Sequence, residues 1–483
     1  MANQRITFGE WLPDQPGVIG ALKKAENVYS KAVGYGGITS PVDYSAAASE
    51  NLNSVVAGKA PDGSVSIFAG STTNLYKYDS SDRSLDDVSG TTYATPTGQK
   101  WRYVQFGNQL IAANGASKLQ GWLLGTDSAF SDLDTNAPKA RYLTVVRDFV
   151  VTGYINDSTV YPYRVQWSAL GDETSWAVSA TTQADYQDIP DGGNVVGVTG
   201  GEFGLVFLEK SIVRMSYVGS PIIFQFDNIS RNLGCYEANS IVQYQGVTFF
   251  LSDDGFYSCD GQNVVSIGGE KVDRYFFDNV DENFLSNMSA AVDPFKNLVI
   301  WAYPEKGQAG QVNRLLIYNF QTQKWSSGTT DVDRVASVLT PGMTLEGLDT
   351  FGTVDSISTS WDDRSWIGGK MVLAGVRDTK IVTFTGTNST ATIQTGDLSV
   401  ENRKSAVTLA QPIVDNGSAS VAVASRNLLN AAVTFGTSVA ADSENRVSLR
   451  SMGRFHRLEV TPTGNNWETA IGLDVEIAPM GGR

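Results

Sequence analysis

The sequence predicts a mainly β protein. It comprises a β-propeller of about six blades in residues 51–345, an extended N-terminal arm at 1–50, and a smaller β-sandwich-like domain at 346–483. Three observations predict this. Short apolar runs rich in Val, Ile and Phe recur at near-even spacing. Gly, Asn and Asp turns punctuate them. The composition sets 48 Gly against 15 Pro, with 10 Trp, 19 Tyr and 21 Phe, a mix that favours short strands and tight turns over long helices.

The strongest runs are Val65-Ser-Ile-Phe-Ala69, Gln109-Leu-Ile-Ala-Ala113, Asp148-Phe-Val-Val-Thr-Gly153, Leu205-Val-Phe-Leu208, Val247-Thr-Phe-Phe-Leu251 and Asn297-Leu-Val-Ile-Trp-Ala302. Taking Phe68, Ile111, Val150, Phe207, Phe249 and Val299 as markers, the steps are 43, 39, 57, 42 and 50 residues. Each run has a partner after a turn: Leu75–Tyr78, Leu119–Trp122, Tyr163–Trp167, Ile212–Met215, Gly255–Tyr257 and Leu315–Tyr318. Each step leaves room for four short strands, the period of propeller blades. Radial stacking lets each blade cover the face of the next and leaves only short edges exposed. A pair of β-sandwiches, with strands every 8–12 residues, is the competing architecture. The long third step predicts a polar surface insertion around Ala177–Gly193.

The arm opens with Trp11-Leu-Pro-Asp-Gln-Pro16, extended because each Pro fixes its φ and disfavours helix in the residue before it. Ala21–Glu26 predicts one short helical turn, broken by Gly34-Tyr-Gly-Gly37 and Pro41. The arm has too few apolar residues for a core of its own, so it must lie on the rest of the chain or on a neighbour. Beyond residue 346, Val372–Gly375, Ile381–Gly386 and Ala391–Thr395 read as adjacent strands. Ser420–Ala424, Val447–Ser451, Phe455–Val460 and Ile471–Ile477 follow, the last two with the alternation of half-buried strands.

Charge excludes some functions. Charged residues make up 18%, and 36 basic against 51 acidic residues leave a net −15. Gripping nucleic acid needs clustered Lys and Arg, whereas an acidic wall lets DNA pass without sticking. No signal peptide is visible at the N-terminus. No run approaches the roughly 20 apolar residues of a membrane span. Cys235 and Cys259 are too few for a disulfide framework, and with His456 the single histidine a Cys/His zinc site is not expected.

Candidate chemistry is sparse. A Ser-His-Asp set would have to use His456, which stands in an alternating strand with no G-x-S-x-G elbow in the chain; a structural role is expected. Gly200-Gly-Glu-Phe-Gly204 lacks the Lys-Ser/Thr of a phosphate loop and reads as a hairpin turn. The pairs Asp253-Asp254 and Asp362-Asp363 have the chemistry for glycoside hydrolysis or Ca²⁺ binding. Turns, and for the second pair an ion pair with Arg364, are the plainer reading. The Ser-x-Asp-x-Gly-x-x-Trp box of sialidase propellers is not matched by Ser168-Ala-Leu-Gly-Asp-Glu-Thr-Ser-Trp176. Asn156, Asn228, Asn287, Asn388 and Asn416 fit glycosylation sequons but have no secretory context. No catalytic, cofactor-binding or metal-binding residue is assigned.

The stretch Gln166-Trp-Ser-Ala-Leu-Gly-Asp-Glu-Thr-Ser-Trp176 resembles a Trp-Ser-x-x-Gly-Asp-x-x-x-Trp pattern of tail and head-completion proteins in short-tailed bacteriophages. The opening, Trp11-Leu-Pro-Asp-Gln-Pro16 with Ala25-Glu-Asn-Val-Tyr29 and Gly34-Tyr-Gly-Gly37, is similar to the start of that group. Thr353-Val-Asp-Ser-Ile-Ser358 with Asp378–Gly386 resembles its post-propeller region. Gly453–Val460 with Trp467 and Gly472–Glu476 resembles its ending. Each is short, and their collinear order carries the resemblance.

The resemblance implies a tail nozzle or hub, also called a packaged-DNA stabilisation protein. It would be a structural virion protein and not an enzyme, a homohexameric ring below the portal and adaptor, touching tail fibre or needle proteins. Such a ring retains the genome and conducts double-stranded DNA at ejection, with no cofactor and no membrane anchor. The alternatives are a tail-associated glycan hydrolase or a receptor-binding protein on a propeller.

Overall fold

The computed structural model describes residues 2–15, 18–341, 353, 357, 369–400, 403–465 and 467–480. Within them, six separate four-stranded sheets and the first four strands of a nine-stranded sheet form seven propeller blades. All are antiparallel, and all but the last are meanders. Their second strands are Val65–Ser71, Gln109–Ala113, Phe149–Asn156, Gly204–Leu208, Val247–Leu251, Leu298–Pro304 and Met371–Arg377. These strands are almost wholly buried, because a strand inside a stacked blade is covered on both faces. Outer strands such as Leu85–Asp87 and Ser131–Asp132 are largely exposed, so they carry little apolar signal.

The blade count therefore differs from the expected six. The six markers each fall on the second strand of a blade, and the seventh blade is the one that spacing missed. Its first strand, Arg334–Leu339, is separated from its second, Met371–Arg377, by some thirty residues instead of a short turn. Val372–Gly375 and Ile381–Thr383 thus pair within the propeller and not in the C-terminal domain. The fourth strand is Val42–Asp43, from the arm, paired with Val382 and Thr383. Arg334–Leu339 packs beside Leu52–Lys59 of blade one, and the ring closes.

The arm lies on its own chain. Ala2–Thr7 pairs with Thr469–Pro479. Lys24–Glu26 forms a strand where a helical turn was expected, pairing with Thr392–Gln394 and, in parallel, with blade six at Ser327. Tertiary pairing overrides the weak helical propensity of six residues. Through this strand blade six continues into Phe455–Thr463, Ser418–Arg426 and Val439–Ala440. A second sheet, containing Thr469–Pro479, Ser405–Asp415 and Val447–Gly453, faces it across a core of Val421, Leu458, Val460, Leu473 and Val475. That core runs on into Trp301, Trp325, Phe256 and Phe276 of the propeller. Phe455–Thr463 alternates in burial along its length.

The predicted insertion at 177–193 contains the outer strand of blade three, Asp185–Asp188. Residues 481–483 lie outside the described residues, as does most of 342–368, which spans the expected domain boundary at 346.

Candidate functional site

The sequence-selected residues scatter over the fold. His456 is fully buried in the sandwich. One ring nitrogen, Nε2, is 2.9 Å from Ser405 Oγ, and Nδ1 is 2.6 Å from Ser425 Oγ, which itself takes a hydrogen bond from Ser451 at 2.6 Å. Burial pushes the imidazole below its usual range. Hydroxyls occupy both ring nitrogens, and among the described residues no carboxylate orients the ring, so the arrangement is that of a satisfied buried network.

Gly200–Gly204 forms the turn between Val195–Thr199 and Gly204–Leu208. It docks on blade three, where Gly201 N donates to Val145 O at 2.9 Å and Arg147 N donates to Gly201 O at 2.8 Å. Asp253 and Asp254 sit in the turn after Val247–Leu251, with Asp254 accepting from Tyr257 Oη at 2.8 Å. Behind that turn is Asp273, a residue the sequence did not single out. Burial pushes its carboxyl up to about 7, with Asp14 and Asp254 adding repulsion against the hydrogen bond from Phe256 N. The pair Asp362-Asp363 lies outside the described residues. Trp176 is buried between blades two and three, its Nε1 donating to Glu173 O at 2.7 Å. Cys235 and Cys259 are buried free thiols between blades four and five. Among the described residues no group of three or more His, Cys, Asp or Glu is placed to hold a metal ion.

What the fold does assemble lies at the propeller axis. The innermost strands Leu52–Lys59, Arg102–Phe106 and Arg334–Leu339 border an open cavity of about 250 Å³, lined by Asn53, Ser54, Lys100, Arg102, Tyr103 and Arg334 among others. A smaller space of about 100 Å³ shares Arg102 and Leu143 with it and extends toward Thr199 and Gln243. Glu237 lies beside this region. Its carboxylate accepts from Asn239 N at 2.9 Å, and Asn239 Oδ1 accepts from Arg102 at 2.8 Å. Burial pushes the Glu237 carboxyl up, opposed by that N–H and by Arg102, Lys100 and Arg334.

Sequence spacing gave no hint of this set, because Lys100 and Arg334 are brought together only by closure of the ring. Arg102–Phe106 is half-buried at every position, which erases the period-2 signal that identifies strands.

No protein-family model and no curated protein matches the chain. Among solved structures it is similar to a chain of a mitotic checkpoint complex, at 10% identity and a TM-score of 0.39, covering 73% of this chain and 95% of that one. It is also similar to the Pan2 WD40 domain of Neurospora crassa, at 7% identity and a TM-score of 0.37, covering 72% and 93%. The fold assignment rests on strand pairing. The chain is a β-propeller joined to a β-sandwich.

Proposed function

We propose that this protein is a structural component of a bacteriophage tail, a nozzle or hub subunit that assembles as a homohexameric ring, retains packaged DNA and conducts it at ejection. One observation carries the reading: three of the four stretches that resemble this group meet in one joint. Gly34 and Gly37 lie against Ala470 and Trp467, where a Cβ would come within 2.3 Å of Ala470 O and 2.8 Å of Asn388. The arm then continues to Asp43, which pairs with the Asp378–Gly386 stretch. Trp11 and Asp14 seat the arm on the short helix Asp273–Asn279, with Asp14 accepting from Arg274 N and Tyr275 N at 2.9 and 2.8 Å. The resemblance thus falls largely on residues that join propeller to sandwich, as a rigid load-carrying part requires.

In such a ring the excess of acidic residues faces the lumen and keeps DNA from adhering. Mass photometry of the purified chain tests the assembly: six copies support the reading. A monomer that hydrolyses capsule or lipopolysaccharide, or a trimer, overturns it. Imaging of the virion then tests the station below portal and adaptor.

A further inference from the structure

The axial cavity carries a charge imbalance that its own side chains leave unresolved. Lys100, Arg102 and Arg334 line the same space, and two acids act on them: Glu237 on all three, and Asp333 on Arg334, so three cations stand against two carboxyl groups that burial itself pushes toward the neutral form. Arg102 is held by neutral groups, the Asn239 side chain and the face of Tyr142, 4.9 Å from its guanidinium. Arg334 reaches the carbonyls of Ser286 and Met288 at 3.4 and 3.2 Å. No described residue accepts a hydrogen bond from Lys100 Nζ. Burial pushes the Lys100 ammonium well below its ordinary range, and repulsion from Arg102 and Arg334 adds to this. Cations gathered in a half-buried space without enough anions to match them are costly, and an ammonium is the more strongly hydrated kind. In a chain of net charge −15, a local excess of positive charge is the opposite of the background.

We propose that this cavity binds a small oxyanion of the phosphate type, with Lys100, Arg102 and Arg334 supplying the charge and Asn53 and Ser54 lining the same wall. Cationic side chains converging from different strands give charge-assisted bonds to several oxygens at once. A cavity of about 250 Å³ admits a phosphate group with a small substituent and excludes a nucleic-acid duplex. The site is therefore separate from any DNA passage between subunits.

Isothermal titration of the full chain with inorganic phosphate, sulfate and ribose 5-phosphate tests this. Saturable binding is expected, weakened at least ~10-fold by Lys100→Met and within about threefold of the parent for Lys100→Arg. Tighter binding of ribose 5-phosphate than of inorganic phosphate identifies a phosphomonoester as the occupant, and equal binding identifies free phosphate. Lys100→Met is also expected to raise Tm in anion-free buffer, because it removes a half-buried cation that has no hydrogen-bond acceptor among the described residues. Arg334→Gln provides the same binding test should Lys100→Met fail to fold. No saturable binding up to about 10 mM, binding that survives both substitutions, or a lowered Tm for folded Lys100→Met in anion-free buffer overturns the proposal.

Discussion

Asp43 and Lys380 stand 337 residues apart in the chain and 2.6 Å apart in the fold. Arg377 also donates to Asp43, and bridges to Asp331 at 2.6 Å. This cluster sits where the arm supplies the last strand of blade seven, so a few side chains hold the ring shut.

Asp43→Ala is expected to lower stability by about 1 kcal/mol, a figure discounted for solvent screening of a partly exposed cluster. Burial opposes ionisation of Asp43, but the hydrogen bonds from Lys380 and Arg377 outweigh it and hold the carboxyl below its usual range. The contribution is present above the unfolded value of about 3.9 and is lost as pH falls through the folded value. Chemical denaturation from pH 7 to pH 3 checks this: the difference between parent and variant shrinks at the acid end.

Asp273 behaves in the opposite sense. Its carboxyl titrates at about 7 in the folded protein, so the unfolded chain ionises first as pH rises. Stability is therefore lost between about pH 4 and pH 7. Asp273→Asn keeps an acceptor for Phe256 N and removes the charge. It is expected to raise stability at pH 8 by on the order of 2 kcal/mol after discounting for screening, and to leave stability at pH 4 nearly unchanged. Tm measured at both pH values checks it.

His456 is bound by hydroxyls on both ring nitrogens. His456→Leu leaves Ser405 without its partner in a buried site, and a loss of about 2–3 kcal/mol is expected. Because the folded imidazole is depressed by burial, the parent protein loses stability as pH falls below about 6.5, where the unfolded histidine charges first. The variant lacks that component. Denaturation midpoints at pH 7.5 and 5.5 distinguish the two.

Gly200 and Gly201 are neighbours with different constraints. A Cβ on Gly200 would lie 1.9 Å from Val145 O, in the backbone of the adjacent blade, whereas Gly201, at φ +127°, has open space around it. Gly200→Ala must separate two blades and is expected to lose about 3 kcal/mol or more. Gly201→Ala strains only its own backbone and is expected to lose about 1–2 kcal/mol. Urea unfolding of the two variants checks the order.

Much of the fold was legible from particular residues. Phe68, Ile111, Val150, Phe207, Phe249 and Val299 marked six second strands because those strands are buried on both faces and read as continuous apolar runs. Phe455–Val460 showed its half-buried alternation directly. The seventh blade was not legible, since Met371–Arg377 lies a long connection away from Arg334–Leu339 and its outer strand comes from residues 42–43. Lys24–Glu26 misled because three residues carry too little pattern to outweigh a helix-favouring composition. Of the axial cavity nothing was legible: Lys100, Arg102, Glu237 and Arg334 form no local motif.

The sequence by itself determined the β class, the blade period and the residues of the paired central strands, because burial on both faces selects Val, Ile and Phe locally. It also determined the low charge and acidic balance. Only the tertiary structure decided how many blades close the ring, which segment closes it, how the arm joins propeller to sandwich and which cations meet at the axis. Those features depend on contacts between residues hundreds of positions apart, and such contacts leave no period in the chain.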